Sequence, residues 1–179
     1  MSSPSALLIS GVYGAGKSSV LAEIAGILEG QGASFAAIDL DWLGWFYVRD
    51  GIETEDTMGL RNLRAVVANY ADAGVLAYVL AKAIGDEAQL NGLRDALAMP
   101  LTVVRLVVPR AEIVRRLESD PTSGRRDDLR VAEAWLASDR GVGFEDFSIE
   151  NVGDIRSVAM EILGRVNLAT QARPKIARG

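Results

Sequence analysis

The chain has no cysteine and no histidine. Without cysteine there can be no disulfides, thiolate metal sites or sulfur nucleophile. Without histidine, the commonest general base and metal ligand is gone, so acid–base chemistry falls to carboxylates, lysine or tyrosine. Lysine is scarce too: of 19 basic residues only Lys17, Lys82 and Lys175 are lysines. No apolar run approaches the length of a membrane span, and Met1–Ser5 lacks the basic start of an export signal. The expectation is a cytoplasmic protein without a membrane partner. The net charge of −5 gives no electrostatic pull toward nucleic acid, which is not expected as a partner.

What remains is an ordinary globular composition, 49% hydrophobic and 24% charged over 179 residues. One domain, residues 1–179, is expected to bury a single core. Residues 172–179 read as a basic tail frayed from it.

One stretch stands out. Gly11-Val12-Tyr13-Gly14-Ala15-Gly16-Lys17-Ser18 fits G-x-x-x-x-G-K-[ST] without a mismatch. It follows the apolar run Ala6–Ile9 and precedes Val20, Leu21, Ile24, Ile27 and Leu28 at helical spacing. Strand, loop and helix in that order form a phosphate cradle, with backbone N–H groups and the helix dipole directed at the anion. Gly11, Gly14, Ala15, Gly16, Lys17, Ser18 and Ser19 are the expected nucleotide contacts. Lys17 reaches the β- and γ-phosphates, and Ser18 gives its hydroxyl to Mg²⁺. ATP and Mg²⁺ are the expected cofactors.

The rest alternates strands and helices. Strands are read at Ser34–Ile38, Val75–Ala81, Leu101–Val108 and Phe144–Ile149. Helices are read at Thr54–Ala73, Asp86–Leu97, Ala111–Glu118, up to about Asp139, and Val152–Leu168. Such alternation gives an α/β fold with a five-stranded parallel sheet between helical layers. The segment 119–128 reads as a polar loop, where the resemblance given below implies a small lid.

Asp39 and Asp41 fall at the carboxyl end of the second strand, where open α/β sheets place their ligands. Two apart on an extended segment, they point the same way. Asp39 is read as the partner of Mg²⁺-bound water and Asp41 as the group that orients or deprotonates an attacking hydroxyl. The alternative is that Asp41 caps the following helix. Trp42, Trp45, Phe46 and Tyr47 come next, either as core or as an aromatic pocket for an apolar acceptor. Lys82 ends the third strand, and either meets the acceptor or is simply solvated. Arg61 and Arg64 either line the acceptor pocket or occupy a surface helix face. Tyr13 faces either the acceptor or the lid.

These segments resemble the small P-loop kinases: shikimate, adenylylsulfate and gluconate kinases and chloramphenicol phosphotransferase. Ile38-Asp39-Leu40-Asp41 is similar to the D-x-D of the shikimate and adenylylsulfate enzymes. Arg61-Asn62-Leu63-Arg64 resembles the helix before the third strand of adenylylsulfate kinase. Val107-Val108-Pro109 with Glu112, Arg116 and Leu117 resembles the fourth strand and the helix before the lid. Ile149-Glu150-Asn151-Val152 resembles the segment beside the adenine, which implies that Asn151 contacts the nucleotide. The resemblance implies a P-loop NTPase three-layer sandwich of the nucleoside/shikimate-kinase type. It also places catalytic lid arginines at Arg125 and Arg126. Arg116 is expected either to reach the phosphates from the lid base or to pair with Asp120. Gly59 stands where adenylylsulfate kinase has an arginine, and the triple glycine of shikimate kinase is missing, so neither substrate carries over.

The reading is an ATP-dependent phosphotransferase acting on a hydroxyl of a small-molecule acceptor, as a monomer or homodimer. The alternatives are a nucleoside or nucleotide kinase and a nucleotide-binding regulatory module without turnover.

Overall fold

The computed structural model describes residues 3–49, 51, 54–119 and 125–169; the side chains of Arg125 and Arg126 lie outside that description. The apolar run that precedes the glycine-rich stretch forms β1, Ser5–Ser10, buried from Ala6 onward. A strand whose Ala6–Ile9 run is apolar on both faces must be covered on both. It is the central strand of a parallel sheet ordered β2-β3-β1-β4-β5. Its partners are β2, Phe35–Asp39, β3, Ala77–Ala81, β4, Leu101–Val107, and β5, Phe147–Glu150. Leu7 lies in register with Val79 on one side and Thr102 on the other.

Among the described residues seven helices flank the sheet: α1, Lys17–Gly30; α2, Leu40–Gly44; α3, Glu55–Asp72; α4, Glu87–Leu97; α5, Arg110–Glu118; α6, Arg125–Ala137; and α7, Ile155–Arg165. Strand alternation divides the core into two layers. Leu7 and Ile9 pack with Ile24 and Leu28 of α1, Ile113 of α5 and Ile162 of α7. Leu8 and Leu80 pack on the opposite face with Leu63 of α3 and Leu90 and Leu93 of α4. Each such side chain contributes about 1.5–3 kcal/mol when fully buried. Tyr78 is fully buried as well, and its hydroxyl donates to the carbonyl of Val67 at 3.3 Å. The expected three-layer α/β architecture is the one observed. Among the described residues no helix is long and apolar enough to cross a membrane.

The differences lie at element ends. β3 starts at Ala77 rather than Val75, because the N–H of Val75 turns back to the carbonyl of Tyr70 at 3.0 Å and closes α3. Gly74, at φ +85°, makes that reversal. β5 starts at Phe147 rather than Phe144. Before it, the carboxylate of Asp146 accepts from the N–H of Val103 at 2.7 Å, and Glu145 pairs with Arg105 at 2.6 Å. The last helix starts at Ile155, not Val152, because Asp154 caps it by accepting from the N–H of Ser157 at 2.9 Å. Within the expected lid loop, residues 120–124 lie outside the described residues and 125–128 form the first turn of α6. Asp120, the expected alternative partner of Arg116, and the tail at 172–179 also lie outside them.

Candidate active site

The glycine-rich stretch links the carboxyl end of β1 to α1 at the centre of the sheet. Gly11, Gly14 and Gly16 all have positive φ, +140°, +79° and +89°. At Gly16 a Cβ would come within 2.6 Å of Asn151 Nδ2, and at Gly11 within 2.9 Å of the carbonyl of Leu106. Glycine is therefore required at both, for conformation and for room. Lys17 and Ser18 open α1, the end at which an α-helix leaves its N–H groups unpaired and its dipole positive.

Lys17 is 8% exposed; its Nζ donates to the carbonyl of Val12 at 3.2 Å and lies 5.2 Å from the ring centre of Tyr13. Ser18 Oγ donates to Asp39 Oδ2 at 2.6 Å, so the α1 hydroxyl and the β2 carboxylate meet. The other oxygen of Asp39 accepts from the N–H of Asp41 at 3.2 Å and thereby caps α2. This corrects two expectations. The cap is Asp39, not Asp41. And Asp41 lies in the first turn of α2 rather than on extended chain, so strand alternation does not relate the two carboxylates. Asp39 turns to Ser18, and Asp41 turns to Lys82, whose Nζ is 3.8 Å from Asp41 and 3.2 Å from Asp56.

Burial pushes the Asp41 carboxyl above its ordinary pKa; Lys82 and then Lys17 pull it back, while Asp39 and Asp128 push it further up. Burial also raises the Tyr13 hydroxyl, followed by the fields of Asp41, Asp128, Glu55 and Asp56. Tyr13 stands edge-on to Trp135 of α6, ring centres 6.4 Å apart. Tyr13 therefore stands against α6 and within the field of Asp41.

Further contacts, from Asn151 after β5 and Arg116 of α5, hold the loop. Asn151, 5% exposed, donates from Nδ2 to the carbonyl of Ala15 at 2.7 Å. Arg116 donates to the carbonyls of Gly14 at 3.3 Å and Asn151 at 2.9 Å, and to Glu112 Oε1 at 2.8 Å. Hydrogen bonds from Arg115 and then Arg116 hold the Glu112 carboxyl down at about 2, so it remains ionised across the working pH range. These partners hold the carbonyls of Gly14 and Ala15. Arg116 thus carries part of the loop's rigidity.

The aromatic stretch is not core. Trp42 is 68% exposed, Trp45 70% and Tyr47 87%. Trp42 and Trp45 pair with ring centres 5.1 Å apart. Short α2 lies closely on α3: a Cβ on Gly44 would meet the carbonyl of Glu55 at 2.5 Å, and one on Gly59 would meet Cα of Gly44 at 3.4 Å. Asn62 Nδ2 donates to the carbonyl of Leu43 at 2.7 Å and fixes the end of α2. Gly59 and Asn62 are packing residues here. Arg61 and Arg64 are exposed, and neither borders the cleft of about 30 Å³ beside Lys82, which Leu40, Asp56, Leu60 and Leu63 help to line. Arg125 and Arg126 sit in the first turn of α6.

Residues that sequence reasoning passed over also belong here. Asp56 and Glu55 were visible only as acids in the first turn of a helix. Trp135 and Arg140, which stack at 4.9 Å, roof a cavity of about 130 Å³ over Gly11 and Val12 and carry no sequence signal. Ser18 and Asp39 present hard oxygens suited to Mg²⁺, which is bound by few protein ligands and keeps water and phosphate in its shell. No cluster of three metal-ligating side chains occurs among the described residues, in keeping with so sparse a site.

No family model and no curated protein matches the sequence. The fold does have solved relatives. A sugar kinase from Janibacter sp. HTCC2649 superposes with a TM-score of 0.65 at 17% identity, over 94% of this chain and 96% of that one. The tunicamycin resistance protein of Deinococcus radiodurans gives 0.64 at 18% identity, over 97% and 100%. Shikimate kinase from Acinetobacter baumannii, in complex with shikimate, gives 0.55 at 23% identity, over 90% and 92%. These neighbours are P-loop small-molecule kinases, and the chain has their α/β fold.

Proposed function

We propose that this protein is an ATP-dependent phosphotransferase that moves the γ-phosphoryl group to a hydroxyl of a small-molecule acceptor. The observation that carries the reading is the hydrogen bond of Ser18 to Asp39, which joins the phosphate loop to the acidic end of β2 and leaves Asp41 beside Lys82. The kinase fold of the solved neighbours supports it.

In this reading Gly11–Ser18 hold the phosphates through backbone N–H groups, and Lys17 neutralises charge on the β- and γ-oxygens. Ser18 and Asp39 hold Mg²⁺, which when bound neutralises charge on the phosphates. Asp41 accepts a hydrogen bond from the acceptor hydroxyl and aligns it. The hydroxyl oxygen forms its bond to the γ-phosphorus as the bond to the β-bridging oxygen breaks. The electron pair leaves with ADP, and the hydroxyl proton passes to Asp41. Asp41 suits that task because burial raises its proton affinity, the fields of Lys82 and then Lys17 acting in the opposite sense. Arg125 and Arg126 are assigned to the lid that closes over the transferring group. Asn151 and Arg116 keep the loop shaped for nucleotide.

The test is Mg·ATP-dependent ADP release against pooled alcohols, sugars, nucleosides and hydroxylated drugs. Acceptor-dependent release that Lys17→Ala and Asp41→Asn both abolish is the expected result. Tight nucleotide binding without turnover on any pool would favour a regulatory module instead.

A further inference from the structure

The mouth of this site has an unusual complement for a phosphoryl acceptor. Asp41, Glu55 and Asp56 border it, and Lys82 is already shared between Asp41 and Asp56 at 3.8 and 3.2 Å. No arginine joins them among the described side chains. The first turn of α6 carries Arg125 and Arg126 but also Asp127 and Asp128, so it is balanced in charge. Beside the carboxylates, on the same α2–α3 crossing, the paired indoles of Trp42 and Trp45 face solvent.

Exposed aromatic area costs solvation free energy, and a soluble chain keeps such a pair at a cleft where a ligand covers it. The support is rigid: Gly44 lies against the carbonyl of Glu55, and Asn62 holds the carbonyl of Leu43. The backbone at Gly44, next to Trp45, is thus held against the backbone of Glu55.

We propose that the acceptor is an amine-bearing, ring-containing alcohol, with its ring on Trp42 and Trp45 and its ammonium held by Glu55 and Asp56. This inference rests on the phosphotransferase reading and names the substrate class of that site. An acceptor carboxylate or sulfate would face three carboxylates that Lys82 offsets only in part, next to the bound nucleotide's own phosphates. An ammonium is attracted by those same groups and by the indole faces. Protonation also settles which group reacts. An ammonium has no lone pair, so the hydroxyl beside Asp41 is the nucleophile.

Three probes share one skeleton and differ in charge: 2-amino-1-phenylethanol, 1-phenyl-1,2-ethanediol and mandelate. Their dissociation constants are measured on the full chain, saturated with Mg²⁺ and a non-hydrolysable ATP analogue. The amine is expected to bind best and mandelate worst, about tenfold or more apart, with the gap shrinking at high salt. Glu55→Gln, alone and with Asp56→Asn, narrows the gap while nucleotide affinity holds. Trp42→Ala with Trp45→Ala weakens all three probes. Mandelate binding as tightly as the amine, or no probe binding to the nucleotide-loaded protein, overturns the inference and leaves the phosphotransferase reading intact. Failure of the analogue itself to bind sinks both.

Discussion

A half-buried carboxylate held between two lysines is the most consequential single group in this structure. The folded-state pKa of Asp41 lies above its unfolded value, so in that range the native state binds more protons than the unfolded chain. Stability from this group is present at low pH and falls as pH rises through the raised pKa. Asp41→Asn is therefore expected to raise the melting temperature at pH 7, with the gain shrinking toward pH 4, while kcat drops by about 10²–10⁴-fold. Thermal melts across pH beside turnover assays check both halves; a lower melting temperature at pH 7 would contradict the assignment. Lys82→Met removes the strongest influence lowering that pKa. The acid limb of the kcat/KM profile should then move to higher pH, because Asp41 must be ionised to accept a proton. Lys17→Ala is expected to abolish transfer, with secondary structure retained by circular dichroism.

At the scale of elements, the loop depends on what grips its carbonyls. Asn151→Ala leaves the carbonyl of Ala15 without its 2.7 Å donor in a buried setting. The cost is about 1–3 kcal/mol of stability, together with a several-fold rise in KM for ATP, measurable by denaturant titration and nucleotide saturation. Gly44→Ala tests the α2–α3 contact. Its Cβ meets backbone at 2.5 Å, which no rotamer change relieves, so α2 must shift and carry Asp41 and the indoles with it. Acceptor KM should rise more than nucleotide KM, since the loop is anchored elsewhere. Both glycines of this crossing were legible in the sequence only as small residues. Gly59 stood out merely as a departure from the adenylylsulfate kinase pattern, and its contact with Gly44 brings together chain fifteen positions apart.

For the molecule as a whole, the proposed nucleotide site links folding to binding. A ligand that binds only the native state stabilises it by about 2.7 kcal/mol at a hundredfold excess over its dissociation constant. For a chain of this size that is a rise in melting temperature of about 5–10 °C. Mg·ATP should produce it and Lys17→Ala should reduce it; an unchanged melting temperature in the native protein would count against the nucleotide site.

Local patterns were enough for the sheet, most of the helices and the place of the glycine-rich loop between β1 and α1. Each rests on short-range physics: apolar runs for strands buried on two faces, a 3.6-residue period for helices, and glycine where φ must be positive. The pattern G-x-x-x-x-G-K-[ST] also placed Lys17 and Ser18, because strand, loop and helix are contiguous. Only the tertiary structure decided which partners meet. The turn of Asp39 to Ser18, the sharing of Lys82 between Asp41 and Asp56, and the Asn151 and Arg116 grip on the loop all join distant parts of the chain. So does the fate of the aromatics. Trp42 and Trp45 have a spacing that suits core or surface equally, and only the packing of α2 on α3 turns them to solvent. Spacing encodes which residues share a face of one element. Which face another element covers follows from the fold as a whole.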